Sequence, residues 1–383
     1  MRDMTGRERL LAALHGQETD RMPFSPLIDD YFISSLGQQG YSQDILGAMR
    51  LIGNDIMERH VGMVKSEWAN VDRRREERKG IFRNVYETPV GTVYQEERPV
   101  GNSMFASKYL IQTIEDVKVY QYMAEHTRLT PREQVFLERD REIGDAGIPA
   151  MSGPMCPLQE MLQHLAGVEN TVYLLADYPD EMEEVFAVMH ERNKRTYQLL
   201  ANYPGHVVFD YEDTSTTVMS RSMYVNYTMP CVDDYADIMH RSGKLFIAHM
   251  CGKLSGFVHE IGKGRMDGID SVCPPTTGDL CSWDARQAWG EKRVVIGGIE
   301  PPALARMNVA ECLEYVAEII ERLPFAAGFI LSSGDAVPYG TPMENLMAIA
   351  AYIRQAGAGA LHQDAARQLI PELVEQYGKN AGR

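Results

Sequence analysis

The chain has 383 residues, 44% of them hydrophobic, and a formal net charge of −16. It is long enough to bury a substantial core in one large domain or two ordinary ones. So acidic a protein is a poor match for nucleic acid, because phosphate binding depends on Lys and Arg. No apolar run reaches the length of about eighteen residues that a membrane helix requires.

The start of the chain and its cysteines indicate where the protein works. The first residues, MRDMTGRERLLAALHG, lack the apolar core of a signal peptide. Six cysteines are too few to form a disulfide scaffold in a chain of this length. We therefore expect a cytoplasmic protein with reduced thiols and no membrane partner.

The N-terminal part of the chain predicts a helix and a hairpin. Thr5 can cap a helix over GRERLLAALHG, which Gly16 would end. A short apolar run, PFSPLI, follows and leads into Asp29, Asp30 and Tyr31. Residues 84–97 alternate around a Pro-Val-Gly turn and predict a β-hairpin.

From about residue 115, helical stretches alternate with short apolar runs. With PFSPLI, these runs give seven candidate strands, the other six being 148–153, 206–210, 244–249, 267–272, 293–298 and 328–333. Continuous apolar runs are typical of a parallel sheet that is buried on both faces. Repeated βα units without a Gly-rich dinucleotide loop predict a (β/α)8 TIM barrel, with an open doubly wound sheet as the alternative. We expect one domain over 1–383, with N-terminal helical and hairpin additions in about 1–110 and the βα repeat in about 111–383.

The predicted strands end in polar residues, and in a TIM barrel the chemistry lies at those ends. His249 and Cys251 would project to the same side of their strand, where an imidazole and a thiolate can bind one zinc ion. Gly252 then allows a sharp turn or a close approach of the backbone. Taken alone, the pair fits a packed histidine beside a buried thiol better than a metal site. Acids at the same rim favour the metal: Asp210, Glu212, Asp213, Asp270, Glu300 and Asp335.

Several segments together resemble one family. They are MTGRERLLAALHGQETDRMPF, ETPVGTVYQ, SGPMCPLQEM, the His-x-Cys segment ending in HMCG, GGIEPPALAR and ILSSGDAVPYGTPMENL. Their order is similar to the uroporphyrinogen decarboxylase-like superfamily and, through HMCG, to its corrinoid-dependent methyltransferase branch. The resemblance covers nearly the whole chain.

The resemblance implies a zinc ion bound by His249 and Cys251. In the thiol-methylating members the loop equivalent to SSGDAVP offers a cysteine, whereas this chain has Asp335 there. Asp335 is the expected third ligand and Glu212 the reserve, although Asp335 could instead cap the turn before Pro338. An aspartate in place of a thiolate would leave the zinc a harder Lewis acid.

The resemblance further implies a methyltransferase that moves a methyl group from a small methylated substrate to the cobalt of a corrinoid (cobalamin-type) carried by a separate protein. The loop YEDTSTT is similar to relatives that demethylate aryl methyl ethers, which favours such a substrate. Glu212 or Asp213 could donate a proton. The expected substrate-binding residues are Asp29, Asp30, Tyr31, Tyr211, Thr214 and Ser215.

Two other functions stay open at this point. One is the reverse transfer, from a methylcorrinoid to a zinc-bound thiol of the coenzyme M type. The other is a non-catalytic barrel that binds a small molecule. Decarboxylation of uroporphyrinogen is not expected, because LIDDYFISSLG carries Asp29 and Asp30 where the decarboxylases place arginines that bind the substrate carboxylates.

Overall fold

The central sheet of the protein consists of parallel strands in the order β1-β8-β9-β10-β11-β12-β13. The structure is a computed structural model that describes residues 3–100, 103–360 and 364–378. The strands are β1 Ile56–Val61, β2 Val64–Trp68, β3 Asp72–Arg78, β4 Ile81–Thr88, β5 Gly91–Val100, β6 Ser103–Lys108, β7 Thr127–Pro131, β8 Gly147–Gly153, β9 Val207–Tyr211, β10 Leu245–His249, β11 Gly268–Val272, β12 Val294–Ile299 and β13 Phe329–Ser333.

The segment around Phe24 closes this sheet into a barrel. Phe24 forms a parallel bridge with Leu331 of β13, and Ser25 donates its backbone N–H to the Leu331 carbonyl at 2.9 Å. On its other side, Phe24 accepts from the Asp55 N–H, next to β1, at 2.9 Å. The segment therefore occupies the eighth strand position, which confirms the (β/α)8 prediction and excludes the open sheet.

Helices follow most of the barrel strands and cover the outside of the sheet. They are α1 Gly6–Leu14, α2 Asp30–Leu36, α3 Ile45–Ile52, α4 Ile114–Glu125, α5 Glu133–Ile143, α6 Pro157–Glu160, α7 Val168–Asp177, α8 Pro179–Ala201, α9 Arg221–Met223, α10 Met229–Arg241, α11 Val258–Lys263, α12 Ser282–Trp289, α13 Pro301–Arg306, α14 Val309–Arg322, α15 Met343–Ala360, α16 Asp364–Arg367 and α17 Ile370–Tyr377. π-Helical turns extend α6 over Met161–Leu165 and precede α10 over Tyr224–Thr228. In the described part of the chain, no helix combines the length and apolar character that a membrane crossing requires.

Helix α1 fills the N-terminal end of the barrel. Thr5 and Glu8 form a capping box at its start, as the sequence predicts for Thr5, and Gly16 beyond its end adopts a left-handed φ of 68°. Its apolar face packs with side chains of the barrel interior in one buried cluster, which includes Leu10, Ala13, Leu14, Met57, Ile148, Val207, Phe209, Ile247, Val294, Ile296 and Ile330. The interior at this end is therefore a packed apolar core, and polar groups collect towards the carboxyl ends of the strands.

The N-terminal region forms most of two small antiparallel sheets, to which β7 adds one strand, and it also contributes to the barrel. The predicted hairpin is present as β4 and β5, within the sheet β3-β4-β5-β6, while β2 pairs with β7. Sequence reasoning missed β1, because Glu58 and Arg59 interrupt its apolar run. Residues 1–110 thus supply two of the eight barrel strands as well as the additions.

Candidate metal centre

Strand β10 delivers His249 and Cys251 to the carboxyl end of the barrel. His249 is the last residue of the strand and is buried, and Cys251 follows two residues later, half-buried. Gly252 approaches the loop after β9 so closely that a Cβ there would lie 2.5 Å from the Thr214 carbonyl oxygen. Only glycine fits this approach, and the contact brings the loops after β9 and β10 together.

The loop after β9 adds a third ligand group, Asp213. Its Oδ1 lies 3.4 Å from Cys251 Sγ and 3.6 Å from His249 Nε2. The ligand atoms of the three residues all lie within 4.8 Å of one another. They form the one group of three or more potential metal ligands found among the described residues. Nitrogen, sulfur and oxygen donors at this spacing could bind one metal ion.

Asp270 on the neighbouring strand β11 orients His249. The Nδ1 of His249 lies 2.7 Å from Asp270 Oδ2, and both side chains are buried. A hydrogen bond from Nδ1–H to this carboxylate leaves the Nε2 lone pair facing Asp213, as a metal ligand requires. Partners of this kind fix the orientation of ligand histidines in metal sites.

Asp270 is in turn held by a buried arginine. Arg59 of β1 places Nη1 3.4 Å from Asp270 Oδ1, and neither side chain is exposed. Arg59 Nη2 also donates to the Ser25 carbonyl at 2.8 Å and to Ser332 Oγ at 3.2 Å. Four barrel strands (β1, β10, β11 and β13) and the Phe24 segment therefore contribute to or support the Arg59–Asp270–His249 series. The sequence analysis did not identify Arg59 as a site residue. Its position, as a charged residue within a short apolar run, could have indicated a functional role.

The pKa shifts show an excess of negative charge at the centre. Burial, together with the charges of Asp213 and Asp335, raises the pKa of the Cys251 thiol far above its usual value. Burial also raises the pKa of Asp335. Burial alone would lower the pKa of His249, but the hydrogen bond and charge of Asp270 outweigh it and raise that pKa. A divalent cation would relieve this crowding of carboxylates and thiol, so the residues present fit a metal ion.

Asp335, the expected third ligand, lies beside the group of three and outside it. Its charge acts on both His249 and Cys251, and its Oδ1 accepts the backbone N–H of Ala336 at 2.7 Å. Asp213 is better placed, because its φ of 41° turns the chain as it leaves β9. A role for Asp335 as a ligand stays a prediction, and its bond to Ala336 also agrees with the alternative role in the turn.

Glu212, the reserve ligand and candidate acid, is directed away from the centre. Phe209 faces the barrel interior, so strand alternation turns Asp210 and Glu212 towards the surrounding helices. Glu212 is fully buried there and accepts the backbone N–H of Cys156, just before α6. Burial raises the pKa of both Asp210 and Glu212. This geometry does not bring Glu212 to the three ligand groups, and its role as a metal ligand or proton donor stays a prediction.

The residues expected to bind substrate lie in two places. Tyr211 is beside the centre, with its ring centroid 5.1 Å from that of His249 and its hydroxyl donating to the Arg59 carbonyl. Thr214 is buried, and Ser215 Oγ accepts backbone N–H groups of residues 217 and 253, so it holds the two loops together.

The acidic pair after the Phe24 segment is placed differently. Asp29 caps α2 by accepting the Phe32 N–H at 2.9 Å, which is a structural role. Asp30 is exposed, and Tyr31 is 48% exposed with its ring 5.1 Å from that of Tyr339. Contact of this segment with a substrate stays a prediction.

The fold and the site define a TIM-barrel protein with a candidate metal centre at the carboxyl ends of its strands. A family model described as uroporphyrinogen decarboxylase (URO-D) matches residues 107–356. The chain therefore belongs to the URO-D family. No curated protein matches the sequence at a significant level.

One solved structure supports the fold. A methyltransferase from Methanosarcina mazei superposes with a TM-score of 0.62 and 14% sequence identity, covering 92% of this chain and 99% of its own. At that identity the similarity shows the fold alone. A ribulose-1,5-bisphosphate carboxylase/oxygenase from Pyrococcus horikoshii is 12% identical over 94% of this chain and 63% of its own. Its TM-score of 0.36 is too low to support an argument.

Proposed function

We propose that the protein is a zinc-dependent methyltransferase. It would take a methyl group from an aryl methyl ether and pass it to the cobalt of a corrinoid carried by a separate protein. The observation that supports this most is the convergence of Asp213, His249 and Cys251, with His249 oriented by the buried Asp270. The fold shared with the Methanosarcina mazei methyltransferase is consistent with it.

His249, Cys251 and Asp213 would hold the zinc ion, with Asp335 as the alternative oxygen ligand. Bound there, zinc would supply Lewis-acid chemistry to the ether oxygen of the substrate. Asp270 keeps the His249 proton on Nδ1, so that Nε2 stays available. Tyr211 forms an aromatic wall next to His249. A carboxylate ligand in place of a second thiolate favours oxygen over sulfur as the substrate atom.

The proposed reaction balances without an added oxidant or proton. The methyl–oxygen bond breaks with both electrons remaining on the oxygen, and the methyl carbon bonds to cobalt(I) of the acceptor protein, which supplies the electron pair. A phenol, with a pKa of about 10, leaves as a far more stable anion than an alkoxide. This difference is the chemical reason to favour aryl methyl ethers over alkyl ones.

We expect methyl transfer from methoxyarenes and not from methylamines or methyl thioethers. The protein would be mixed with a reduced corrinoid protein and each class of methyl donor, and methylcobalt(III) followed by its absorbance. The Cys251→Ser protein is the control for zinc-independent background. Turnover only with thioethers or amines, or only in the direction that methylates a thiol, would refute the proposed substrate. No turnover in either direction, with zinc bound, would favour a non-catalytic barrel.

Despite its family, the protein is expected to have no uroporphyrinogen decarboxylase activity. Asp29 and Asp30 follow the Phe24 strand, in the segment where the decarboxylases place arginines that bind the substrate carboxylates. A substrate with eight carboxylates would be repelled by these acids. The measurement is conversion of uroporphyrinogen by the pure protein, with heat-denatured protein as control. Conversion above that control would contradict the prediction.

A further inference from the structure

A cavity at the carboxyl-end rim of the barrel lies beside the candidate metal centre. Its volume is about 620 Å³, which falls within the range of about 300–1,000 Å³ typical of small-molecule sites. Ser152 and Tyr211, at the ends of β8 and β9, form its inner wall. Tyr211 also packs against His249, so one side chain separates the cavity from the metal ligands.

The two small antiparallel sheets, together with Leu165, build the outer walls of this cavity. Trp68 of β2, Tyr86 of β4, Gln95 of β5 and Leu129 of β7 line it together with Leu165. The rings of Trp68 and Tyr86 meet edge to face with centroids 5.1 Å apart. None of these four strands is needed to close the barrel, yet all four contribute to one aromatic and apolar pocket against its rim. Such walls suit a planar ring.

The charged groups of the cavity are already paired. Arg192 forms a salt bridge with Glu160, and both contact the Tyr120 hydroxyl, at 3.0 Å and 2.8 Å respectively. Because Glu160 neutralises Arg192, the cavity has no spare cation among its described lining residues except the exposed His164 at its edge. An anionic ligand would therefore lose water without gaining a charged partner in the cavity.

We propose that this cavity binds the ring of a neutral methoxyarene and discriminates against methoxybenzoates. The inference depends on the proposed function for the choice of a methylated ring, and it adds the site and the charge of the substrate. The ring would lie against Trp68 and Leu129, which line the cavity from the β2–β7 sheet, with its methoxy group directed towards Tyr211 and the neighbouring His249. Hydrogen-bonding substituents such as a phenolic hydroxyl would face Gln95.

The test is calorimetric binding of 2-methoxyphenol and 4-hydroxy-3-methoxybenzoate to the full-length protein. We expect the neutral ligand to bind about tenfold more tightly or better, and Leu129→Trp to weaken its binding at least about tenfold by filling the cavity. Leu137→Trp is the matched control, since Leu137 is exposed on α5 and outside the cavity. Among the three tryptophans only Trp68 lines the cavity, so fluorescence quenching by the ligand should disappear in Trp68→Phe.

The outcomes separate this inference from the proposed function. Binding that Leu129→Trp leaves unchanged, or quenching that persists in Trp68→Phe, would overturn the cavity as the ring site even if demethylation occurs. Equal or tighter binding of the benzoate would overturn the charge preference. Binding that depends on Trp68 and Leu129, also in Cys251→Ser, would support the cavity even if no methyl group is transferred to cobalt.

Discussion

Replacing Cys251 with serine is expected to lower the zinc content of the purified protein from about one ion per chain to less than about a tenth. The thiolate is the strongest donor of the three, and its loss leaves a histidine and a carboxylate. Burial and the charges of Asp213 and Asp335 raise the pKa of the Cys251 thiol, and a bound cation would stabilise the thiolate that serine cannot supply. Zinc is measured by elemental analysis after dialysis.

Matched variants make the zinc result specific. Cys281→Ser changes a half-buried thiol at the start of α12, outside the three-ligand group, and should keep the full zinc content. Asp213→Ala and Asp335→Ala then identify the third ligand. Loss of zinc in Asp213→Ala alone would support the geometry, and loss in Asp335→Ala alone would support the expectation from the family. Full occupancy in Cys251→Ser would refute the metal centre altogether.

Replacing Arg59 with methionine is expected to lower the free energy of unfolding by about 3–5 kcal/mol. Asp270 is fully buried, and Arg59 and His249 lower its pKa against the effect of burial. Without the guanidinium, Asp270 keeps a buried charge with one partner fewer. His249 would be held less firmly, so zinc affinity should also fall by about 10–100-fold. Urea unfolding and zinc titration measure the two effects.

The matched control is an exposed ion pair. Arg221 contacts Glu260 but its side chain is 67% exposed, so Arg221→Met should cost less than about 1 kcal/mol and leave zinc affinity unchanged. The double variant Arg59→Met, Asp270→Asn removes both charges and should be more stable than Arg59→Met alone. A loss below about 1 kcal/mol in Arg59→Met would show that Arg59 does not neutralise Asp270.

The barrel was predictable from the sequence because its strands are buried on both faces. The six continuous apolar runs of the sequence match strands β8 to β13 almost residue for residue. Strands that are buried on both faces are apolar at every position, so the run of apolar residues marks the strand directly. Strand β1 was missed because Glu58 and Arg59 are buried with charged partners, Glu58 with the half-exposed Arg139 and Arg59 with the buried Asp270. A single sequence does not show which partners its charges will have. The hairpin of β4 and β5 followed from local turn chemistry.

The sequence alone also determined that His249 and Cys251 lie together. Residues two apart at the end of a strand project to the same side, which depends only on local backbone geometry. The partners of that pair come from other parts of the barrel, 21 to 190 residues from His249 along the chain: Asp270 on β11, Asp213 after β9 and Arg59 on β1. Their choice depends on loop conformation, such as the φ of 41° at Asp213, and on barrel closure. Closure brings distant strand ends into contact, so only the tertiary structure decided which acids meet the histidine and where a cavity forms beside them.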